Sequence, residues 1–379
     1  MAPQLLDYCP QKSESEKHPI DDSDGFCFAV PVLESESNEI DDGPDASSFN
    51  GLPLSVPLDL IEHFQNDGFA VFGNVISLGA VDALNDRLED VLRGVYDRGR
   101  APDKTPRLVK GRKPQPKINK LTSSSHSSMD PANASNKPQG KNKKKSGGVG
   151  VGPIGFSGNR QNVKVLQIIN IHKADSLFRK LETSPVLAKV VSKLAGWDDL
   201  GGARLAQDQV WAKPPGAPPL VFHRDSPYFM FEPAEVVTVW IALDDMDEEL
   251  GPLEYVAGSH KWGDGRVGSA NQFFQSDTRR LLRSAAEREG IDDLESLTFV
   301  SMRGMKRGGL SIHHGKIWHG SAKNASANRP RRGLGLHFVP ASVRFTTEAS
   351  KSRLWKDYVV GVEDPSTVDL SEEDFPLSM

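Results

Sequence analysis

Apolar residues recur along the chain in two patterns, one typical of strands and one typical of helices. Residues 236–243 form an almost unbroken apolar run, which predicts a buried strand. Residues 163–169, 203–211 and 333–339 are also typical of strands. The chain beyond residue 160 therefore supplies most of the predicted strands.

Helical spacing precedes and interrupts these strands. A short helix is predicted at 57–68, where Asn-Asp-Gly signals its end. Ser77 is a candidate N-cap for a second helix, whose apolar stripe we expect to pack on the outside of the β core. Ser184-Pro185 begins a third helix that ends at Gly196. The stripe of the second helix consists of Val81, Leu84, Leu88, Val91 and Val95.

Candidate metal ligands stand beside the predicted strands. In an extended strand, His223 and Asp225 point to the same face, so both can bind one ion. His319 is the candidate for a third ligand. A ferrous ion that must also bind an oxidant is suited by two imidazoles and one carboxylate on one side, with the opposite positions open.

A cation follows the third candidate ligand. Arg331 comes twelve residues after His319 and opens the strand-like run 333–339. A guanidinium binds a carboxylate through two parallel hydrogen bonds. A fixed arginine near an open-sided metal therefore suits a dicarboxylate cosubstrate.

Charge is strongly segregated, although the net charge is only −5. Residues 1–50 carry 12 acidic and 2 basic residues, and residues 100–160 carry 14 basic and 2 acidic residues. Both segments are poor in aromatic and branched apolar residues, which predicts disorder. We therefore expect a disordered acidic leader at 1–50, a single domain at 51–345 interrupted by a disordered basic insertion at about 101–158, and a C-terminal tail at 346–379.

The basic insertion ends in the cluster Lys141–Lys145 and a glycine-rich tract. One interpretation is a solvated loop. The other is a nuclear-localisation or polyanion-binding patch, because clustered lysines attract phosphates. Nucleic-acid binding is disfavoured, since no aromatic residue is interleaved for base stacking.

Cysteine content and apolar runs limit the class of protein further. The only cysteines are Cys9 and Cys27, which excludes a disulfide framework and a cysteine-ligated zinc site. The sequence contains no run of about 18 apolar residues, so no membrane span is predicted. Neither a secretory pattern nor a peroxisomal Ser-Lys-Leu ending is present, so a cytoplasmic location is expected.

These motifs resemble the phytanoyl-CoA dioxygenase family. The resemblance covers residues 58–100 and 160–345, and its motifs occur in the family's order. They are the opening segment 64–77, the stretch from His223 to Trp262 with Gly251-Pro252-Leu253-Glu254-Tyr255-Val256-Ala257-Gly258-Ser259-His260, the triplet His319-Gly320-Ser321, and Arg331. Ala257 departs from the family pattern, which has proline there.

The resemblance implies a mainly β fold with flanking helices, namely a double-stranded β-helix (jelly-roll, cupin-like) core. It also implies Fe(II) and 2-oxoglutarate as cofactors, with dioxygen and a small molecule as substrates. His223, Asp225 and His319 would be the catalytic metal ligands. Ser321 would assist Arg331 in binding 2-oxoglutarate.

Two further cosubstrate contacts follow from the resemblance. The position of Gln209 faces 2-oxoglutarate, and Trp240 lies close to it. Trp240 has an alternative interpretation as an ordinary core aromatic. His313 and His314 are interpreted as outer-layer or core histidines, because only His319 is followed by Gly-Ser.

The spacing after His319 is one residue longer than in the family, so Arg329, Arg331 and Arg332 are all candidates for the cosubstrate arginine. Arg331 is preferred because His337 follows it by six positions, with five residues between them, as in the family pattern Arg-x5-His.

The predicted function is hydroxylation of a small organic or lipid-like substrate, with release of succinate and carbon dioxide. Asp225 favours hydroxylation, since related halogenases lack this carboxylate. Three alternatives stay open: a metal-dependent hydrolase using the same site, a non-catalytic β-barrel binding protein, and desaturation or ring formation at the same centre. The sequence indicates neither the substrate nor the oligomeric state.

Overall fold

Two β sheets face each other in the computed structural model, which describes residues 4–8, 28–34, 52, 55–73, 75–106, 165–264 and 277–378. Within these ranges the strands are β1 (Gln4–Tyr8), β2 (Phe28–Glu34), β3 (Phe69–Gly73), β4 (Leu166–Ile169), β5 (Ala203–Lys213), β6 (Leu220–His223), β7 (Phe231–Glu232), β8 (Val237–Ala242), β9 (Leu253–Val256), β10 (Phe299–Ser301), β11 (Leu310–His314), β12 (His319–Ser321), β13 (Arg331–Pro340), β14 (Arg344–Phe345) and β15 (Leu377–Ser378). The α-helices are α1 (Leu58–Asp67), α2 (Leu78–Leu92), α3 (Ser176–Glu182), α4 (Pro185–Ala195) and α5 (Arg280–Arg288).

Apart from β7, the strands from β5 to β13 alternate between the two sheets, except that β9 and β10 both belong to the small sheet. The large sheet has the order β1-β2-β3-β11-β8-β13-β5-β15, with β4 also paired to β5, and the small sheet has the order β10-β9-β12-β6. The short strands β7 and β14 pair separately. This alternation confirms the predicted double-stranded β-helix.

Contacts between the sheets lie at their inner faces. Tyr255 of β9 stacks on Phe69 of β3, with 5.1 Å between the ring centroids. The Tyr255 hydroxyl lies 2.9 Å from Nδ1 of His313 on β11. An aromatic side chain with a polar tip therefore joins the two sheets across the interior.

Helices α1 to α4 pack against the large sheet, which agrees with the packing predicted for the apolar stripe of α2, whereas α5 packs against the small sheet. The Ser77 hydroxyl accepts the amide N–H of Ala80 at 3.1 Å, so Ser77 caps α2 as predicted. Val95 is an exception, because α2 ends at Leu92 and Val95 is 39% exposed. Among the described residues, no helix combines the length and the apolar character needed to cross a membrane.

The acidic leader differs from its expected disorder in two places. Its apolar stretches form β1 and β2, and β2 pairs in parallel with β3. An unpaired strand edge offers backbone groups to which such stretches can bond. The other residues of the leader lie outside the described residues.

The basic insertion begins later than expected. Residues 101–106 are described, and Lys104 forms an isolated bridge with Ile169 at the end of β4. Asp103 accepts a hydrogen bond from Lys173 at 2.9 Å, which holds this segment against the domain. The cluster Lys141–Lys145 lies outside the described residues, as do the other residues from 107 to 164.

The C-terminal tail packs on the domain and closes an apolar cluster. Trp355 is fully buried, lies 5.1 Å from the ring of Phe231, and donates its indole N–H to the Tyr228 carbonyl at 2.6 Å. Phe375 and Val359 belong to the same cluster. The tail therefore covers strands that precede it by more than a hundred residues.

Trp355→Ala should lower the free energy of unfolding by about 3–5 kcal/mol, the range for truncating a buried aromatic residue. Val360→Ala is the matched control, because Val360 is 74% exposed in the same segment. The control should change stability by less than about 0.5 kcal/mol. Urea unfolding measures both values, and equal effects of the two variants would contradict the described packing of the tail.

Candidate metal centre

The three predicted metal ligands lie close together where β6 ends and β12 begins in the small sheet. His223 is the last residue of β6 and His319 the first of β12, and the two residues are direct partners in the antiparallel pairing. Their ring centroids lie 4.2 Å apart. Ligand atoms of His223, Asp225 and His319 all lie within 4.8 Å of one another. The structure thus brings together residues separated by nearly a hundred positions.

Asp225 reaches this place in a different way from the one the sequence predicted. β6 ends at His223, and Asp225 has φ −83° and ψ −44°, which is helical backbone. Strand alternation therefore does not set its direction. The turn that begins at Ser226-Pro227 does so, and the Asp225 amide donates to the Gly315 carbonyl at 2.9 Å.

Both imidazoles present the same nitrogen to Asp225. Nδ1 of His223 lies 2.8 Å from the Val221 carbonyl, and Nδ1 of His319 lies 3.1 Å from the Ile317 carbonyl. Because a carbonyl only accepts, each Nδ1 carries the hydrogen. Nε2 then carries the lone pair, and it lies 3.7 Å (His223) or 3.6 Å (His319) from Oδ1 of Asp225.

The protonation states suit metal binding. Burial lowers the pKa of both His223 and His319 to about 4, so both imidazoles are neutral near pH 7. Burial alone would raise the pKa of Asp225, but nearby His319 and a hydrogen bond from His313 hold it well below its usual value. Two neutral imidazoles and one carboxylate are the forms that bind a divalent metal.

An outer layer of hydrogen bonds fixes the Asp225 carboxylate. Thr238 donates its hydroxyl to Oδ2 at 2.7 Å, and Nε2 of His313 lies 3.3 Å from the same oxygen. Since His313 donates from Nε2, its Nδ1 accepts from the Tyr255 hydroxyl, whose oxygen lies 2.8 Å from Oγ of Ser311. Oδ2 is thus held by the protein, which leaves Oδ1 facing the two imidazoles.

The environment of Arg331 distinguishes it from the other two candidate arginines. Arg329 forms an ion pair with Asp247 at 2.6 Å, and Arg332 forms one with Asp244 at 2.5 Å. The Arg331 side chain is instead buried at 2% exposure, and its Nε and Nη1 have no hydrogen-bond partner among the described residues. Burial lowers its pKa to about 10, so it stays cationic at neutral pH.

A second buried cation lies beside Arg331, and the sequence analysis did not identify it. Lys213 is the direct partner of Arg331 in the β5–β13 pairing. Its Nζ donates to Oγ of Ser321 at 2.9 Å and also to the carbonyl of Ala322. Burial, together with neighbouring Arg331, lowers the pKa of Lys213 well below its usual value. Ser321 thus contacts Lys213, whose strand partner is Arg331.

Gln209 and Trp240 lie on opposite sides of one glycine in the large sheet. Gly335 of β13 pairs with Gln209 of β5 and with Trp240 of β8. The Trp240 ring lies 5.2 Å from the Arg331 guanidinium, and it occupies the space over Gly333, where a Cβ would come within 2.6 Å of the indole. The Gln209 carboxamide accepts a hydrogen bond from Gln167 at 2.7 Å.

A second cluster with metal-ligand chemistry, His172, Glu182 and Asp208, serves another purpose. Nδ1 of His172 hydrogen bonds to Asp208 at 2.5 Å, and Asp208 also accepts the amide of Ile171 at 2.7 Å. Burial, together with neighbouring Asp208, raises the pKa of Glu182 well above its usual value, which favours the neutral carboxyl over a metal-binding carboxylate. His172 and the Ile171 amide already occupy the Asp208 carboxylate, so the cluster ties β5 to residues 171–172.

Sequence signals existed for the residues that the analysis missed. Thr238 is the one hydroxyl residue in the apolar run 236–243. Lys213 continues the face of β5 that begins with Gln207 and Gln209, and it stands directly before a pair of prolines. A polar residue within a buried strand pattern requires a partner, but the partner's identity depends on the neighbouring strands.

The sequence is similar to that of one family of known proteins. The family model described as phytanoyl-CoA dioxygenase (PhyH) matches residues 64–333. A phytanoyl-CoA dioxygenase domain-containing protein 1 of Danio rerio is 28% identical over 165 residues, which is 41% of this chain and 50% of that protein. A probable alpha-ketoglutarate-dependent hypophosphite dioxygenase of Stutzerimonas stutzeri is 26% identical over 138 residues, which is 36% of this chain and 46% of that protein. The chain thus spans about half the length of these relatives.

Among solved structures, the fold is similar to that of a non-heme alpha ketoglutarate dependent epimerase, SnoN from nogalamycin biosynthesis. The TM-score is 0.54 at 17% identity, with 85% of this chain and 98% of that chain covered. This likeness shows the shared fold.

The family model extends from α1, through the candidate ligands on β6 and β12, into β13, and so includes His223, Asp225, His319 and Arg331. Since residues 64–333 are more than half of the 379 residues, the chain belongs to the phytanoyl-CoA dioxygenase (PhyH) family.

Proposed function

We propose that the protein is an Fe(II)- and 2-oxoglutarate-dependent dioxygenase that hydroxylates a small organic or lipid-like substrate and releases succinate and carbon dioxide. The observation that carries the proposal is a set of two neutral imidazoles and a carboxylate within 4.8 Å, together with a buried guanidinium whose Nε and Nη1 have no partner in the described part of the chain. Membership of the PhyH family supports it, as does the name of the Stutzerimonas stutzeri relative.

His223, Asp225 and His319 are the residues that would hold the iron. Their Nε2 atoms and Oδ1 face one another, while backbone carbonyls and Thr238 hold the opposite atoms of the same side chains. This arrangement fixes ligand direction before a metal binds. Ligands confined to one side leave the opposite positions for other molecules, as in the 2-His-1-carboxylate site.

Arg331 and Ser321 are the residues that would bind the distal carboxylate of 2-oxoglutarate. Ser321 lies two residues beyond His319 in β12, which places it about 6–7 Å along the strand. That separation suits a short dicarboxylate whose other end lies at the metal. A buried arginine with two unpartnered nitrogens fits such an anion, because a buried charge needs a counter-charge.

Gln209, Trp240 and nearby aromatic residues would form the walls of the site. Trp240 packs on the Arg331 guanidinium and so fixes its direction. Phe229 is buried, with its ring 5.1 Å from that of His337. Such apolar surfaces exclude water from the reacting groups.

Bound ferrous iron and 2-oxoglutarate would supply the oxidation: dioxygen is consumed, 2-oxoglutarate loses carbon dioxide to give succinate, and one oxygen atom enters the substrate. The protein's part is to bind, orient and shield these molecules. The presence of Asp225 supports hydroxylation as the outcome.

Turnover with a metabolite extract tests the reaction class. Protein supplied with Fe(II), 2-oxoglutarate and the extract should consume oxygen and form succinate, whereas omission of either cofactor should abolish both. Arg331→Met should lower succinate formation about 30-fold or more, because the distal carboxylate loses its charged partner. A metal-dependent hydrolase would bind metal without 2-oxoglutarate-dependent oxygen uptake, and a binding protein would show no turnover.

His319→Ala should abolish stoichiometric iron binding, because only one imidazole and one carboxylate then remain. The control is His63→Ala, since His63 pairs with Asp67 on α1 at 2.8 Å and belongs to neither metal-ligand cluster. Metal analysis after anaerobic loading and desalting gives the iron content of each variant. Full iron content in His319→Ala would refute the ligand assignment.

Thr238→Val should weaken iron binding by roughly 10–100-fold, the range for loss of an outer hydrogen-bond partner of a ligand. Valine keeps the shape of threonine but cannot donate to Asp225. Thr238→Ser restores the donor and should recover most of the affinity. Competition with a chelator of known affinity measures all three proteins, and equal affinities would exclude a role for the hydroxyl.

A further inference from the structure

Two lysines are fully buried among the described residues, and their surroundings differ sharply. Lys173 is held by Asp103 and Asp374, each at 2.9 Å. Lys213 is equally buried, yet its described partners are only the Ser321 hydroxyl and the Ala322 carbonyl. A buried ammonium is costly unless an anion compensates it. The surroundings of Lys213 contain no described carboxylate partner.

The nearest charged group makes this imbalance larger. Lys213 and Arg331 are directly opposite in the β5–β13 pairing, so their side chains leave the sheet on the same face. Like charges in directly opposite positions destabilise a sheet. Within the described ranges, two nitrogens of Arg331 have no partner. Two basic side chains are therefore buried side by side without a described anion between them.

The hydrogen-bonding capacity of Lys213 also favours an anion beside Arg331. An ammonium has three N–H donors, and the two described acceptors of Lys213 leave one donor unused. Through Ser321, Lys213 is joined to the strand that carries His319. An anion that touched Lys213 and Arg331 would therefore lie about two strand residues from the candidate metal ligand.

We propose that Lys213 is a second cosubstrate-binding cation, which shares the distal carboxylate of 2-oxoglutarate with Arg331 and selects 2-oxo dicarboxylates over 2-oxo monocarboxylates. The proposal rests on the proposed function, because it assigns the dicarboxylate to this pocket. With the anion in place, the repulsion between the two cations becomes attraction to a shared carboxylate. The C-terminal residue of β5 would then help to determine which 2-oxo acid binds.

The test compares two ligands of equal chain length. 2-Oxoglutarate and 2-oxovalerate have the same 2-oxo acid end, and only the first has a distal carboxylate. Calorimetric titration of the full-length, Mn(II)-loaded protein gives a dissociation constant for each ligand. The ratio of the two constants measures recognition of the distal carboxylate without any turnover.

Lys213→Met should weaken 2-oxoglutarate binding about 10–100-fold, the value of a hydrogen bond to a charged group, and should leave 2-oxovalerate binding within about threefold. Lys213→Gln keeps a side-chain amide for Ser321 and Ala322 but removes the charge. It should show the same change in ratio, and it provides a second variant if methionine disturbs folding.

Lys173→Met is the matched control, since it removes the other buried lysine. It should lower the unfolding temperature and leave the ratio unchanged. The ratio is taken as the dissociation constant for 2-oxovalerate divided by that for 2-oxoglutarate. If Arg331→Met lowers this ratio but neither Lys213 variant changes it, the proposed role of Lys213 is refuted while the proposed function stands. Wild-type protein that binds 2-oxoglutarate no better than 2-oxovalerate would overturn both this inference and the proposed function.

Discussion

The antiparallel pairing of β6 with β12 is the constraint on which the candidate centre depends. It places His319 opposite His223, and each imidazole donates Nδ1–H to a carbonyl two residues earlier in its own segment. The backbone carbonyls thus favour the tautomer with hydrogen on Nδ1, and both Nε2 atoms lie close to Asp225. Asp225 completes the set from the turn after β6. The sheet pairing and the ligand geometry are therefore one structural feature.

Burial then governs the chemistry of these groups. A buried imidazole loses its proton easily, and a carboxylate surrounded by imidazoles and a hydroxyl keeps its charge. Tyr255 links this layer to the opposite sheet, because its hydroxyl contacts His313 while its ring stacks on Phe69. The same side chain thus helps hold the sheets together and position the ligands.

The cations around the site differ in a consistent way. Arg329 and Arg332 are paired with acidic side chains, and Lys173 is paired twice. Arg331 and Lys213 instead share a face of the β5–β13 ladder. Because uncompensated buried charge is costly, this arrangement supports the proposal that an anionic ligand binds between them.

The sequence by itself predicted the strand runs that became β4, β5, β8 and β13 and the helix starts at Ser77 and Ser184-Pro185, because periodicity is a local property. Motif order suggested His223, Asp225, His319 and Arg331 as candidate site residues. The tertiary structure decided the direction and the partners of these side chains, because both depend on residues that are distant in sequence. The turn at Ser226 directs Asp225, partners elsewhere occupy Arg329 and Arg332, and Lys213 acquires significance only opposite Arg331. Burial and counter-charge are properties of the assembled sheets, so no single segment of the chain contains them.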